Sequence, residues 1–233
     1  AWDRAGGRYD GSELGMRAMP VERAVAIIQA LSQRYPGKAM VDFGTPEDTL
    51  IATLLSARTR DEQVLQVYGP LRQRFPALRD LARASIQDLE RSLGTIGLFR
   101  SKAKAVRTLA QQLIERHDGR VPATMTELVE LAGVGRKTAS CVLWYAFGIP
   151  AMAVDTHVYR IASRLGWARG SAPERVESEL KAYLPEALWG EVNRVFVRFG
   201  REFCRSQTPR CSACPARNDC PYAKRSARGT LNA

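Results

Sequence analysis

The apolar residues of this chain recur three and four positions apart over most of its length, which is the spacing of one face of an α-helix. One such face is formed by Ala24, Ile27, Ile28, Leu31 and Tyr35. Strict alternation of apolar and polar residues, flanked by hairpin turns, would indicate β-strands and is not found in the sequence. The pattern therefore predicts an all-α protein.

Capping residues mark where several of these helices begin and end. Thr45 is a capping residue, Pro46 suits a first turn and Glu47 complements the positive end of the helix dipole. Ser85 opens another helix, which Gly94 ends. The predicted helices cover residues 21–35, 45–55, 60–75, 85–93, 101–117, 124–131, 136–147, 156–165, 173–184 and 188–204.

The composition allows a sizeable core and points to a polyanionic partner. The chain has 233 residues, of which 45% are hydrophobic. Its 35 basic and 24 acidic residues give a net charge of +11, which attracts nucleic acid or an anionic membrane. A soluble protein with a merely basic surface is the alternative. The longest uncharged apolar stretch, Cys141 to Val154, is too short to span a bilayer, which argues against a membrane protein.

The cysteines indicate a metal site. Residues 1–19 lack a secretion signal and are predicted to be an N-terminal tail, so we expect an intracellular protein, where disulfides are disfavoured. Four of the five cysteines follow the spacing C-x6-C-x2-C-x5-C, namely Cys204, Cys211, Cys214 and Cys220. Four thiolates this close can converge on one centre, for which zinc is the generic occupant. Cys141 lies on an apolar face and is predicted to be a core residue.

A glycine-rich turn between two predicted helices is a candidate phosphate site. Gly133 and Gly135 flank Val134, so the backbone can turn tightly and approach a partner. The amides of Val134 through Arg136 are expected to point outward at the start of the next helix, where unpaired amides and the helix dipole favour an anion such as a DNA phosphate. A plain helical connection is the alternative, but Arg136, Lys137 and the net charge favour phosphate binding.

Two segments carry a family resemblance. Leu131–Ala139 resembles the helix–hairpin–helix of the endonuclease III family of base-excision DNA glycosylases, and Ala153–Val158 resembles that family's catalytic-aspartate segment. The separation between Lys137 and Asp155, 155 − 137 = 18, also fits the family, and the similarity extends over residues 20–222. Ala132 is a departure, because the family usually has proline there.

The resemblance implies a two-lobed, all-α helix–hairpin–helix glycosylase fold. A six-helix barrel domain is expected at residues 39–149 and ends with the hairpin. Residues 20–38 and 150–233 are expected to form a helical domain around an iron–sulfur cluster. DNA is expected to lie across the groove between the two.

The resemblance also implies the chemistry of Lys137. Lys137, as a free amine, attacks C1′ of the damaged nucleotide, expels the base and nicks the strand by β-elimination. Its place beside Arg136 in a first helical turn opposes protonation, and we expect a pKa lowered from about 10.4 to about 8. A lysine that contacts phosphate without chemistry is the alternative.

Asp155 is expected at a helix N-terminus, where it stabilises positive charge growing on the sugar. A pure capping role is the alternative, and the two roles are compatible. His157, two residues on, is implied to contact the DNA backbone or the flipped sugar; a surface or core histidine is the alternative.

The remaining implied residues contact DNA or the cofactor. Arg58 stands where the family usually has a glutamine that fills the gap left by the extruded base, and Leu98 matches its wedge leucine, although an ordinary core leucine is the alternative. The cysteine spacing resembles the family's [4Fe–4S] loop, with a structural role. Arg205 and Arg210 of that loop are candidate phosphate contacts.

Taken together, the residues and the resemblance predict a bifunctional DNA glycosylase/AP lyase of base excision repair. We expect a monomer that acts in the cytoplasm, at the nucleoid, on double-stranded DNA with damaged bases, above all oxidised pyrimidines, or abasic sites. An adenine glycosylase acting opposite oxidised guanine is disfavoured, because that branch lacks the lysine nucleophile. A non-catalytic DNA-binding or redox-sensing protein on the same fold is the alternative from another class.

Overall fold

The computed structural model describes residues 19–37 and 43–227, and within them the chain is helical and contains no strand. The prediction of an all-α protein is thereby confirmed. The N-terminal tail, except Met19, and residue 39, the predicted first residue of the barrel domain, lie outside the described residues. None of the described helices is long and apolar enough to cross a membrane.

Twelve α-helices make up most of the described residues. They are α1 (Val21–Arg34), α2 (Pro46–Ser56), α3 (Asp61–Arg74), α4 (Leu78–Arg83), α5 (Ile86–Leu93), α6 (Phe99–His117), α7 (Met125–Val129), α8 (Arg136–Phe147), α9 (Thr156–Leu165), α10 (Pro173–Tyr183), α11 (Trp189–Glu202) and α12 (Pro221–Ala227).

The predicted capping residues begin their helices as expected. The Oγ1 of Thr45 accepts a hydrogen bond of 3.1 Å from the amide of Asp48, and the Oγ of Ser85 accepts one of the same length from Asp88. Both side chains satisfy an amide that the first turn leaves without a helical partner. The beginnings of these two helices can be predicted from the sequence because the capping residue and the amide that it caps lie three residues apart.

Two helices and one boundary were not predicted. Helix α4 has only six residues and its N-cap, Ala77, has no capping side chain; instead the carboxylate of Asp80 accepts from the amide of Ala77 at 2.8 Å. Helix α12 follows the cysteine segment, and its seven residues are too few for a helical periodicity to stand out in the sequence. Helix α6 begins at Phe99 rather than Ser101, because Leu98 enters it from the left-handed region, at φ 60°.

The described residues form two compact units. The hairpin unit comprises the described parts of Tyr35–Ala153 and Glu186–Arg194, and the cysteine unit those of Ala1–Arg34, Val154–Pro185 and Val195–Ala233. Helix α11 therefore contributes its first part to the hairpin unit and its last part to the cysteine unit. The domain limits expected from the sequence remain a prediction.

The core of the hairpin unit fixes the helix that follows the glycine-rich turn. Helix α2 packs on α8 and α6, α7 packs on α8, and α4 and α5 pack on α6. Leucines and valines from these helices fill the interior, among them Leu50, Leu55, Leu89, Val106, Leu109 and Val142. Burial of such side chains contributes about 1.5–3 kcal/mol each, so the start of α8 is held by a close-packed core.

The core of the cysteine unit is built around α9. This helix packs against α10 and α12, and its inner face is formed by Val158, Ile161, Ala162 and Leu165. The rings of Trp167 and Phe196 lie 5.6 Å apart beside it. Ion pairs from Arg23 to Asp219, at 2.8 Å, and from Arg34 to Glu202 attach α1 to the same unit.

Candidate active site

The glycine-rich turn is shaped by its contacts with α2 and α6. Gly133 has φ +75°, which side chains with a Cβ rarely adopt. A Cβ added there would lie 3.0 Å from the Cβ of Ala105 and 3.0 Å from the Cδ1 of Leu54. Both the backbone angle and the space therefore require glycine at position 133.

One of the predicted phosphate donors is used inside the turn. The amide of Val134 donates to the carbonyl oxygen of Leu131 at 3.1 Å, and the Val134 side chain is buried. The expectation that this amide points outward is therefore wrong, since closing the turn consumes it. Gly135 is exposed, is the N-cap of α8 and has open space where a Cβ would stand, and Arg136 is exposed beside it.

A glutamine that sequence reasoning missed supports this turn. The amide of Ala132 donates a hydrogen bond of 2.7 Å to the Oε1 of Gln112, which lies on α6. A proline at position 132 would have no amide hydrogen to offer. The partner is 20 positions away in sequence, so no local pattern could have revealed it.

Lys137 is the second residue of α8 and is half-buried. The residues that follow it, Thr138, Ala139 and Ser140, are buried in the hairpin unit. The predicted place in a first helical turn is confirmed, and the chemical role of the amine remains a prediction.

Asp155 caps α9, as its sequence position predicts. Its Oδ1 accepts two hydrogen bonds, from the amide of His157 at 2.9 Å and from that of Val158 at 2.8 Å. Within the described residues its Oδ2 accepts none. The carboxylate is half-buried and held at the N-terminus of α9, and this arrangement leaves one oxygen for another partner.

His157 packs against α11. The Nη2 of Arg160 lies 3.0 Å from its Nδ1, and a Cβ added to Gly200 would stand only 2.3 Å from the same nitrogen. These contacts fix the ring within the cysteine unit. They support the alternative of a histidine held by the core, and the DNA contact expected from the resemblance remains a prediction.

The four clustered cysteines line a single cavity in the cysteine unit. Within the described residues, no group of three or more His, Cys, Asp or Glu side chains is arranged to hold a single metal ion. Burial raises the pKa of Cys214 to about 11 and also raises that of Cys220, so charged thiolates there need a positive partner. Four cysteine sulfurs around one cavity are the donor set that both zinc sites and iron–sulfur clusters use.

Two arginines of α9 hold the first cysteine of this cavity and were not predicted. The Nε of Arg160 donates to the carbonyl oxygen of Cys204 at 2.9 Å, and the Nη1 of Arg164 donates to its Sγ at 3.3 Å. Arg164 also donates to the carbonyl oxygens of Arg205, at 2.6 Å, and Ser206, at 2.7 Å. Arg205 and Arg210 themselves are exposed on the loop.

The two loops expected to enter the base stack present their side chains to solvent. Arg58 is exposed, and Leu98 keeps 55% of its surface accessible. Leu98 is therefore not a core leucine, which was the alternative for this residue.

Comparison with known proteins gives this geometry a context. Residues 51–186 match the HhH-GPD superfamily of base excision DNA repair proteins. Endonuclease III of Thermotoga maritima is 44% identical over 186 residues, which cover 80% of this chain and 87% of that protein. Endonuclease III of Synechocystis sp. is 39% identical over 217 residues, which cover 92% of this chain and 99% of that protein.

A solved structure is similar over the same length. It is that of a trapped endonuclease III–DNA covalent intermediate, in an estranged-adenine complex, and it superimposes with a TM-score of 0.84 at 33% identity. The match covers 90% of this chain and 100% of that one. The helix–hairpin–helix glycosylase fold expected from the resemblance is thereby confirmed.

Proposed function

This chain belongs to the endonuclease III family within the HhH-GPD superfamily of base excision DNA repair proteins, and from that premise we propose that Lys137 and Asp155 are its catalytic residues. It is a DNA glycosylase that also acts as an AP lyase. The observation that carries the assignment is the position of Lys137, in the first turn of α8 directly after the glycine-rich turn. A relative that forms a covalent intermediate with DNA needs a nucleophile, and a lysine beside a phosphate site supplies one.

The reaction starts from the neutral amine of Lys137. Its Nζ forms a bond to C1′ while the bond from C1′ to the base breaks, and the base leaves with the electron pair and takes up a proton. Opening of the sugar ring then converts the adduct into an imine, with a proton passing to O4′. The imine acidifies C2′, and loss of a C2′ proton expels the 3′ phosphate, which cuts the strand.

Asp155 stabilises the positive charge that grows on the sugar as the base leaves. Two amides hold its Oδ1, which fixes the orientation of the carboxylate. Its Oδ2 accepts no hydrogen bond from the described residues and is available for the sugar or for a proton in transit. A preorganised anion of this kind is worth about 10²–10³ in rate.

Duplex DNA with a damaged base or an abasic site is the proposed substrate. The amides around Gly135 and the exposed Arg136 bind a backbone phosphate, and Arg205 and Arg210 add further phosphate contacts. Arg58 and Leu98 occupy the space that the extruded nucleotide leaves. Oxidised pyrimidines are the proposed lesions, and single-turnover excision from duplexes that each carry one oxidised, alkylated or deaminated base tests this.

A [4Fe–4S] cluster is the proposed occupant of the cysteine cavity, held by Cys204, Cys211, Cys214 and Cys220. Four cysteine sulfurs that line one cavity, at the spacing of the family's cluster loop, support a cluster over zinc. With all its ligand positions filled by protein, the cluster closes the loop and takes no part in breaking bonds. The side chain of Arg164 offsets negative charge on the Sγ of Cys204 and ties the loop to α9.

Borohydride trapping on a duplex with an abasic site tests the function. The wild type is expected to give a covalent protein–DNA adduct, which Lys137→Ala abolishes while it still binds the duplex. Lys104→Ala, which removes an exposed lysine of α6, is the matched control and keeps the adduct. An adduct in Lys137→Ala would reject the nucleophile, and no adduct in the wild type would favour a non-catalytic or redox-sensing protein.

A further inference from the structure

The two loops that carry Arg58 and Leu98 share an unusual backbone conformation at their tips. Arg58 has φ 54° and Leu98 has φ 60°, both in the left-handed region that residues with a Cβ seldom occupy. Among the described residues the only other non-glycine with positive φ is Asp118, which ends α6. Such conformations persist where the surrounding structure holds them, and they occur often at functional sites.

The two loops also touch each other. A Cβ added to Gly97 would stand 3.5 Å from the carbonyl oxygen of Arg58 and 3.7 Å from the Oγ1 of Thr59. Both are ordinary van der Waals distances, so the loop that ends in Leu98 lies beside the backbone of Arg58 and Thr59 with room for one side-chain carbon between them.

The side chain of Lys102 joins α6, which begins directly after Leu98, to the loop that carries Arg58. Its Nζ donates to the Oγ1 of Thr59 at 2.5 Å. Its amide makes the ordinary first-turn helical hydrogen bond to the carbonyl oxygen of Leu98 at 3.0 Å. Only 5% of the residue is exposed, and within the described residues it forms no ion pair. A lysine buried without a carboxylate is unfavourable for stability alone, and its presence at this point calls for a functional reason.

We propose that Lys102 is a positioning residue: by holding Thr59 and the start of α6 together, it sets the distance and direction of Arg58 relative to Leu98, so that both side chains enter the DNA stack as one unit. The proposal rests on the proposed function, in which those two side chains replace the extruded nucleotide. It concerns extrusion of the nucleotide and not the bond-breaking steps.

The physical reason is preorganisation. Two side chains on separate flexible loops would each lose conformational freedom when they enter the duplex, and that loss opposes extrusion. A hydrogen bond from a buried ammonium is among the stronger ones and joins the loops before DNA arrives. Removing it should therefore reduce the fraction of duplex in which the nucleotide is held out, while Lys137 and Asp155 stay in place.

Three variants separate this hydrogen bond from other effects. Thr59→Val keeps the shape of the side chain and removes the acceptor, whereas Thr59→Ser keeps the hydroxyl and serves as rescue. Lys102→Met keeps the length of the chain and removes the donor. Lys104→Met, on the exposed side of the same helix, controls for the loss of one positive charge.

The measurement is the fluorescence of 2-aminopurine placed opposite a stable abasic analogue in a duplex, because this signal reports the unstacking that the two side chains cause. We expect the equilibrium constant for unstacking at saturating enzyme to fall roughly tenfold in Thr59→Val and in Lys102→Met, as loss of a charge-assisted hydrogen bond predicts. Thr59→Ser and Lys104→Met should match the wild type. The double variant Thr59→Val/Lys102→Met should be no worse than the poorer single variant.

Wild-type unstacking in Thr59→Val, or a double variant whose loss is the product of the two single losses, would overturn the proposal. If Lys102→Met does not fold, the pair Thr59→Val and Thr59→Ser decides alone. Borohydride trapping on an abasic duplex is run in parallel. Wild type that forms no adduct rejects the proposed function, whereas normal unstacking in Thr59→Val with normal trapping rejects only the role of Lys102.

Discussion

The backbone amide of Ala132 donates a hydrogen bond of 2.7 Å to the Oε1 of Gln112, and this bond joins the glycine-rich turn to the C-terminal half of α6. Nearby, the Cα of Gly133 faces the side chains of Ala105 and Leu54, so that α6 supports the turn at two points. A proline, usual at position 132 in the family, would need no such acceptor. Gln112 therefore accepts a hydrogen bond from an amide that a chain with proline at position 132 would not have.

Gln112→Leu is expected to lower the free energy of unfolding by about 1 kcal/mol, because it leaves the amide of Ala132 without its acceptor. Urea denaturation measures the change. Adding Ala132→Pro removes the stranded amide, and the double variant Gln112→Leu/Ala132→Pro should recover most of the loss. A double variant less stable than Gln112→Leu would show that the turn does not depend on this hydrogen bond.

Asp155→Asn is expected to reduce single-turnover base excision by at least about 10², since an amide cannot stabilise positive charge on the sugar as a carboxylate does. The fold should survive, because asparagine is as good an N-cap as aspartate. Asp118→Asn is the matched control: it changes another helix-capping acid, at a left-handed position that asparagine accepts. Excision by Asp155→Asn within a few-fold of the wild type would reduce Asp155 to a cap.

The features that the sequence predicts and those that it does not predict differ in how far apart the interacting residues are along the chain. Asp155 and the amides it caps lie two and three positions apart, and Gly133 and Lys137 belong to one continuous motif. The bonds from Ala132 to Gln112, from Lys102 to Thr59 and from Arg164 to Cys204 join residues 20, 43 and 40 positions apart. Such pairs depend on how helices pack, and helical periodicity carries no information about them.

The amide of Val134 shows a second limit of prediction from sequence: which backbone amides remain free to bind an anion. Its amide was expected to face a phosphate, because the first turn of a helix leaves amides unpaired. The turn that precedes α8 closes on itself and uses that amide for the carbonyl oxygen of Leu131. Sequence identifies the turn from its glycines, but which amides remain available depends on the backbone angles.

Lys102→Met is expected to change how stability depends on pH. Burial lowers the pKa of Lys102 from 10.5 to about 8. Below pH 8 the lysine is an ammonium in both the folded and the unfolded state, and burying this charge opposes folding. Between pH 8 and 10.5 the folded protein has lost the proton, whereas the unfolded chain still holds it. The stability of the wild type therefore rises with pH over this range. The methionine variant lacks this contribution and should therefore be at least as stable as the wild type at pH 7.

The advantage of Lys102→Met should shrink by up to about 3 kcal/mol as the pH approaches 10.5. Denaturant unfolding of both proteins at pH 7, 8.5 and 10 gives the comparison, and Lys104→Met reports what the loss of an exposed lysine does over the same range. A difference between the wild type and Lys102→Met that stays constant with pH would mean that Lys102 is solvated in the folded protein.

The last prediction concerns the cysteine cavity. Protein purified without oxygen should be yellow-brown and contain about four irons per chain, since four cysteines line one cavity. Cys211→Ser removes one ligand and is expected to lower the iron content. DNA affinity should fall with it, because the loop that carries Arg205 and Arg210 loses its closure. Cys141→Ser changes a cysteine buried in α8, in the hairpin unit, and should keep the iron. Stoichiometric zinc without iron in the wild type would reject the cluster and would leave the assignment of Lys137 and Asp155 intact, because their chemistry involves no metal.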